Sequence, residues 1–384
     1  MGNVITYFYN LCFNKYNLIL ESPSDYKKGK EEFYLKNNIL NHEIINVMKI
    51  FLEENFNNDD NVVISLSGGV DSMVILSSIL YINLNYDNKY NLYAVHVNYN
   101  IRNESVDEEK FLVNFCEFWK VNLLVKKINN KGKSTSNRIF KSEEGIKITR
   151  NEYEEETKKI RFDAYKDLIN NKNCKGVFLG HHKDDLIENI FTNSMKGHNI
   201  LDLEVMKDVG LIKDIKFCRP LLNLHKKDII DFSMIFKIPY FKDSTPKWSR
   251  RGKMRNEIFP LLDNVFNSGW KNKLKEIGNQ SNMWRSTVDN LIIKPWIDTV
   301  NFNNNGFQFK IDHLDDVNLW CYFLPKLFYK KNFKPIKKKS IINLVKNLNE
   351  QNNLKNQNNF LKVELDSSFS SLSINGIIKI SKNE

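Results

Sequence analysis

The chain has 384 residues, with 57 lysines and arginines against 46 aspartates and glutamates, a formal net charge of +11. That length exceeds a single compact core and suggests two or three units of about 100–200 residues; the basic excess favours a polyanionic partner such as nucleic acid over an acidic protein, with a basic surface kept for solubility as the alternative. The five cysteines, Cys12, Cys116, Cys174, Cys218 and Cys321, include no C-x-x-C pair, which argues against a disulfide framework or structural zinc and fits a reducing, cytoplasmic setting.

Residues 1–60 read as an extension ending in a helix, because Ile44, Ile45, Met48, Phe51 and Leu52 recur at helical spacing before the polar turn Asn57–Asp60. This segment is a poor transit peptide, carrying Glu21, Asp25, Glu31 and Glu32 without an arginine among its first 40 residues. Met1–Thr6 matches the N-myristoylation pattern at Gly2, a six-residue pattern that chance produces easily. No uncharged run reaches the length of about 20 residues needed to cross a bilayer, so no membrane association is expected.

From Val62 the pattern changes to alternating strands and helices. Val62–Leu66, Leu92–Val97, Leu123–Ile128 and Gly176–Leu179 read as strands, and Ser72–Ile82, Asp107–Trp119, Asn151–Asn170 and Asp184–Met195 as helices. Such alternation predicts an α/β fold, a parallel sheet with helices on both faces, whose ligands sit at the carboxyl ends of the strands.

The first strand-to-helix turn is Ser67-Gly68-Gly69-Val70-Asp71-Ser72. The glycines leave backbone N–H groups uncovered, the following helix directs its positive N-terminal end at the same place, and the serines add hydroxyls, a combination that suits a phosphate. A plain turn capped by Asp71 or Ser72 is the alternative. Asp71 is the odd member, since a carboxylate beside phosphates needs a compensating metal ion or helix N-terminus. His96 ends the second strand, either touching ligand or satisfied structurally.

The densest constellation is Gly180-His181-His182-Lys183-Asp184-Asp185-Leu186-Ile187-Glu188. Two imidazoles and three carboxylates at a strand end form either a metal site or an acid–base cluster, with Asp185 and Glu188 on one helix face. Further on, Arg219-Pro220-Leu221-Leu222 is followed by Asp243-Ser244-Thr245 and by Arg250-Arg251-Gly252-Lys253-Met254-Arg255 running into Pro260-Leu261-Leu262. These arginines could clamp phosphates or an amino-acid carboxylate, or form a basic linker.

The loop resembles the S-G-G-x-D-S signature of the N-type ATP pyrophosphatases, or PP-loop superfamily. The later motifs are similar to those of the tRNA(Ile)-lysidine synthase family: H-H-x-D-D-Q-x-E-T, here with Leu186 and Asn189; the basic A-R-x-x-R-Y run, here Thr157-Lys158-Lys159-Ile160-Arg161-Phe162; R-P-L-L; and R-N-x-x-R. The motifs run in order from Val62 to Leu262, a little over half of the chain. The resemblance implies a five-stranded parallel, Rossmann-like sheet and a catalytic domain over 61–265. It also implies adenylation by ATP of the wobble cytidine C2 oxygen in tRNA(Ile) with a CAU anticodon, followed by attack of free lysine. On that reading Ser67, Gly68, Gly69, Val70, Asp71, Ser72 and His96 bind ATP, and Asp71, Asp184, Asp185 and Glu188 are catalytic. Asp71 and Asp185 hold Mg²⁺, and His181, His182, Arg219, Arg251 and Arg255 bind lysine or tRNA.

Residues 266–384 read as a mostly helical α+β region that binds tRNA. Trp270–Val300, Asn318–Lys331 and Ser340–Leu348 are expected as helices, Asn301–Gly306 as a polar turn, and Phe360–Lys382 as short strands. The basic stretches Lys326–Lys331 and Lys334–Lys339, with Phe328, Tyr329 and Phe333 among and between them, suit RNA contact with stacking, or a lysine-rich loop over core aromatics. A homodimer stays open. Three rivals remain: a PP-loop tRNA thiolase, which usually brings C-x-x-C pairs; a small-molecule amide ligase; and an RNA-binding descendant without catalysis.

Overall fold

The computed structural model describes residues 42–100, 104–128, 140–141, 147–148, 150–236, 238–241, 245, 249–310, 316–353, 360–374 and 376–383. Asp243 and Ser244, together with the N-terminal 41 residues, lie outside the described residues. The chain divides into two compact units, one holding the residues up to Asn189 with Met206–Lys271, the other Ile190–Val205 and the residues from Asn272 on.

The first unit begins with helix α1 (Glu43–Asn55) and strand β1 (Asn61–Ser65), then α2 (Val70–Asn85), β2 (Asn91–Asn98), α3 (Glu104–Phe118) and β3 (Asn122–Lys127). The two-residue strands β4 (Phe140–Lys141) and β5 (Lys147–Ile148) pair with each other ahead of α4 (Arg150–Lys172). There follow β6 (Val177–Phe178), α5 (Lys183–Met195, of which the residues from Ile190 on belong to the other unit), β7 (Val209–Ile212), β8 (Ile215–Cys218) and α6 (Lys226–Ile235). The main sheet has the order β3-β2-β1-β6-β8-β7.

Five of its strands are parallel, and β7 is an antiparallel edge strand paired to β8. The sequence pattern predicts neither β7 nor β8, nor α6. The β7–β8 turn, Lys213-Asp214, takes positive φ at both residues (50° and 63°), which fits a tight two-residue hairpin without the usual Asn-Gly signal. Both faces of β1 are covered. Val62 and Ile64 face a core shared with α1, α2 and α6, while Val63 joins Phe162, Tyr165 and Phe217 on the other side. Helix α2 is buried on nearly all sides, which explains its unbroken apolar run Met73–Leu76.

The chain order turns at β1: it steps outward to β2 and β3 on one side and resumes with β6 and β8 on the other. A crevice opens at such a switch point, at the carboxyl ends of the strands.

In the second unit, Asn301–Asn303 (β9) and Gly306–Lys310 (β10) form an antiparallel hairpin, so the expected polar turn narrows to Asn304-Asn305. A Cβ on Gly306 would overlap the Ile380 carbonyl, which is why a glycine starts β10. With Phe360–Glu364 (β11), Phe369–Ile374 (β12) and Ile377–Lys382 (β13) they make a five-stranded sheet. Phe307, Trp320, Phe323, Phe328 and Ile380, all nearly inaccessible, form its core together with residues of Val317–Lys330.

Candidate active site

Three adjacent parallel strands, β1, β6 and β8, end at one cavity of about 650 Å³. The loop after β1 is held by its own hydroxyls. Ser72 Oγ donates to the Gly69 carbonyl (2.9 Å), Ser67 Oγ lies 3.2 Å from Ser72 Oγ, and Gly69 N–H points at Ser67 Oγ (3.3 Å). Gly68 has φ +81°, and a Cβ there would stand 2.6 Å from the Phe241 ring. Phe241 N–H donates to the Gly68 carbonyl (2.9 Å), so the loop is buttressed by a segment far along the chain.

The segment after β6 crosses the loop closely. A Cβ on Gly180 would lie 2.7 Å from Asp71 Cβ, so only glycine allows this approach. His181 and His182 follow. His181 Nδ1 accepts from Arg219 Nε (3.1 Å), and Arg219 Nη1 donates to the Lys207 carbonyl (2.9 Å). Burial pushes the His181 pKa down to about 4, so its imidazole is neutral. His182 is buried among three carboxylates: Nε2 is 3.3 Å from Asp185 and 4.0 Å from Asp71, and Nδ1 is 3.6 Å from Asp184. Burial outweighs these charges and lowers its pKa too, while its Nδ1 has no hydrogen-bond partner.

Asp185 and Glu188, one turn apart on α5, meet two arginines from a short helix α7 (Arg250–Lys253) and the π-helical turn Met254–Ile258 that continues it. Arg251 pairs with Asp185 and donates from Nε to Glu188 (2.8 Å). Arg255 pairs with Glu188 and donates to Asp185 (3.0 Å). Acidic and basic groups assigned to separate tasks from the sequence therefore form one network: the buried carboxylates hold the guanidinium groups in place, and both arginines line the cavity.

Of the residues singled out from the sequence, Ser67, Gly69, Val70, Asp71, Ser72, His181, His182, Asp185, Arg219, Arg251 and Arg255 line the cavity. Gly68, Asp184, Glu188 and His96 do not. Asp184 Oδ2 accepts the Lys226 backbone N–H (2.8 Å), and His96, buried and with its pKa lowered by burial, bonds through Nδ1 to the Leu66 carbonyl (2.9 Å). His96 supports the loop from behind in this structure.

Lys226 is the main residue that sequence reasoning missed. At the start of α6, its Nζ lies 2.7 Å from both oxygens of Asp71. Its position four residues after Leu222 was visible, but a pairing across 155 positions leaves no local signal. The remaining wall includes Tyr165, whose hydroxyl lies 2.7 Å from Ser65 Oγ, with Phe162, Phe217, Tyr240, the basic Arg161 and the acidic Glu108. Among the described residues no three His, Cys, Asp or Glu side chains converge as a metal cluster.

In the second unit the basic stretch is split. Phe328 belongs to the core and Phe333 packs against Phe369, whereas Tyr329 is 66% exposed. Lys326 is paired with Asp289, and Lys334, Lys337, Lys338 and Lys339 are exposed.

A doubly wound sheet whose switch point carries a glycine–serine loop, two neutral histidines and paired arginines defines a nucleotide-binding class of α/β domain. A PP-loop domain model matches residues 40–262, more than half of the chain, and the chain belongs to that family. Among its relatives, the tRNA(Ile)-lysidine synthase of Staphylococcus aureus (strain COL) is 29% identical over 207 residues, 53% of this chain and 44% of that protein. The tRNA(Ile)-lysidine synthase of Chlamydia muridarum is 26% identical over 229 residues, 59% of this chain and 65% of that one. The match thus spans less than half of the staphylococcal relative. A solved U34-tRNA thiolase, NcsA from Methanococcus maripaludis, aligns with TM-score 0.49 at 19% identity, covering 65% of this chain and 81% of that one. No helix among the described residues is long and apolar enough to cross a membrane.

Proposed function

We propose that the cavity binds ATP and that the protein is an ATP-dependent tRNA-modifying ligase joining lysine to C2 of the wobble cytidine of tRNA(Ile) with a CAU anticodon. The observation that carries this reading is the convergence, at one switch-point cavity, of the Ser67–Ser72 loop, the His181–Glu188 cluster and Arg219, Arg251 and Arg255. The similarity to lysidine synthases over 53–59% of the chain supports it.

In the proposed reaction the cytidine C2 oxygen attacks the α-phosphorus and pyrophosphate leaves. The lysine ε-amine, after losing a proton, then attacks C2, and the oxygen departs with AMP. The Gly69 and Val70 region at the α2 N-terminus receives phosphate oxygens, and Arg251 and Arg255, held by Asp185 and Glu188, stabilise charge on the departing group. His182, neutral and flanked by carboxylates, can take the proton that lysine releases. Asp71 offers hard oxygen donors on the wall, and Mg²⁺ needs only one or two carboxylates besides phosphate and water, so Asp71 would hold the ion, which supplies charge neutralisation. Free lysine and tRNA are the expected partners, the exposed lysines of the second unit meeting the tRNA backbone.

The test is incubation with ATP, labelled lysine and tRNA(Ile) bearing a CAU anticodon. Label entering the RNA with one pyrophosphate per lysine is the expected result. Pyrophosphate release that instead requires a sulfur donor overturns the reading in favour of thiolation.

A further inference from the structure

Lys226 faces Asp71 with its Nζ 2.7 Å from each carboxylate oxygen, and both residues line the cavity. The pair is exchangeable rather than locked in the core, since 30% of the Lys226 and 21% of the Asp71 side-chain surface is exposed. The root of Lys226 is fixed: its backbone N–H donates to Asp184, and His225 and Asp228 complete a capping box around the same turn. A flexible four-carbon stem on a fixed root lets the ammonium move while its origin stays put.

We infer that Lys226 is a positioning residue that covers the Asp71 carboxylate while the cavity lacks nucleotide, so that a divalent cation takes up this carboxylate more weakly without a polyphosphate than with one. The inference rests on the reading of the cavity as an ATP site. An ammonium shared between both oxygens blocks the positions a hard cation would use, and the imidazole nearest Asp71, His182, lies closer to Asp185 (3.3 Å) than to Asp71 (4.0 Å). If the pair is formed in about 90% of nucleotide-free molecules, the carboxylate's apparent affinity for a cation falls about tenfold. A polyphosphate removes that penalty, because it gives Lys226 an oxygen partner at the same moment as it gives one to the cation.

Mn²⁺ titration followed by the paramagnetic resonance of the free ion tests this without turnover. Without nucleotide, K226Q is expected to bind Mn²⁺ about tenfold more tightly than the parent chain. D71N/K226Q should lose that gain, and K226R, whose guanidinium also spans two oxygens, should bind as weakly as the parent. With the α,β-methylene analogue of ATP, the parent should gain more affinity than K226Q. K226M replaces K226Q if the latter does not fold. Equal Mn²⁺ affinity in the parent and the uncharged variants, or a gain that survives D71N, overturns the inference. The titration contains neither tRNA nor lysine. Failed lysine incorporation with the Mn²⁺ pattern intact therefore overturns the proposed reaction alone, and the opposite result overturns this inference alone.

Discussion

Asp185 and Glu188 are buried carboxylates whose charges are met by Arg251 and Arg255, and the four side chains stand or fall together. Asp185→Asn leaves both arginines short of a charged partner. Because Arg251 is about half exposed, water offsets part of the loss, and urea unfolding should show a cost of about 1–3 kcal/mol. On the proposed reaction, lysine incorporation should fall about 10²-fold or more, as for loss of a preorganised charge-stabilising group. The histidines give a pH dependence. Their folded pKa values lie below the ordinary 6.5, so below that pH the unfolded chain binds protons that the folded chain refuses. The stability they contribute is complete above pH 6.5 and declines as pH falls toward about 4, the folded value of His181. Stepped-pH unfolding should show this decline, and His181→Asn should flatten it. NMR of the imidazole carbons should find His181 neutral at pH 5.

Loops at strand ends succeed here because neighbouring elements approach without a side chain between them. Gly180→Ala would place a Cβ 2.7 Å from Asp71 Cβ and 3.1 Å from the Ser72 nitrogen, backbone that cannot move without shifting the phosphate loop. A loss of about 1–3 kcal/mol in chemical unfolding is expected, with weaker binding of an ATP analogue. Ile64, inaccessible in β1, tests the sheet rather than the site: Ile64→Ala should cost about 2–5 kcal/mol, read by urea midpoint. Elements with one strong period were legible. The apolar run of β1, the buried face of α1 and the helix after Asp184 fall where their residues predict. The β7–β8 hairpin was not, because its turn residues Lys213 and Asp214 carry no strong turn signal and its strands are four residues each.

At the scale of the molecule, the +11 charge is spread unevenly in function: the arginines of the cavity are partly neutralised by buried acids, while Lys334, Lys337, Lys338 and Lys339 remain exposed on the second unit. Replacing Lys337, Lys338 and Lys339 by Gln should weaken tRNA binding and flatten its log–log salt dependence by about one for each phosphate no longer neutralised, leaving ATP-analogue binding unchanged. An unaltered salt slope would rule these lysines out of the proposed tRNA contact. By itself the sequence determined the alternating α/β order, the glycine–serine turn after β1 and the chemical identity of the clustered residues, because periodicity, glycine placement and motif spacing are local properties of the chain. It left Asp71 without an evident counter-charge, His96 between two roles, and the arginines without partners. Only the tertiary structure decided that Lys226 meets Asp71, that His96 supports the loop through Leu66, and that Asp185 and Glu188 hold Arg251 and Arg255. Those pairings join residues from separate strand ends, and which strand ends become neighbours is set by sheet order, a long-range outcome of packing that no local pattern encodes.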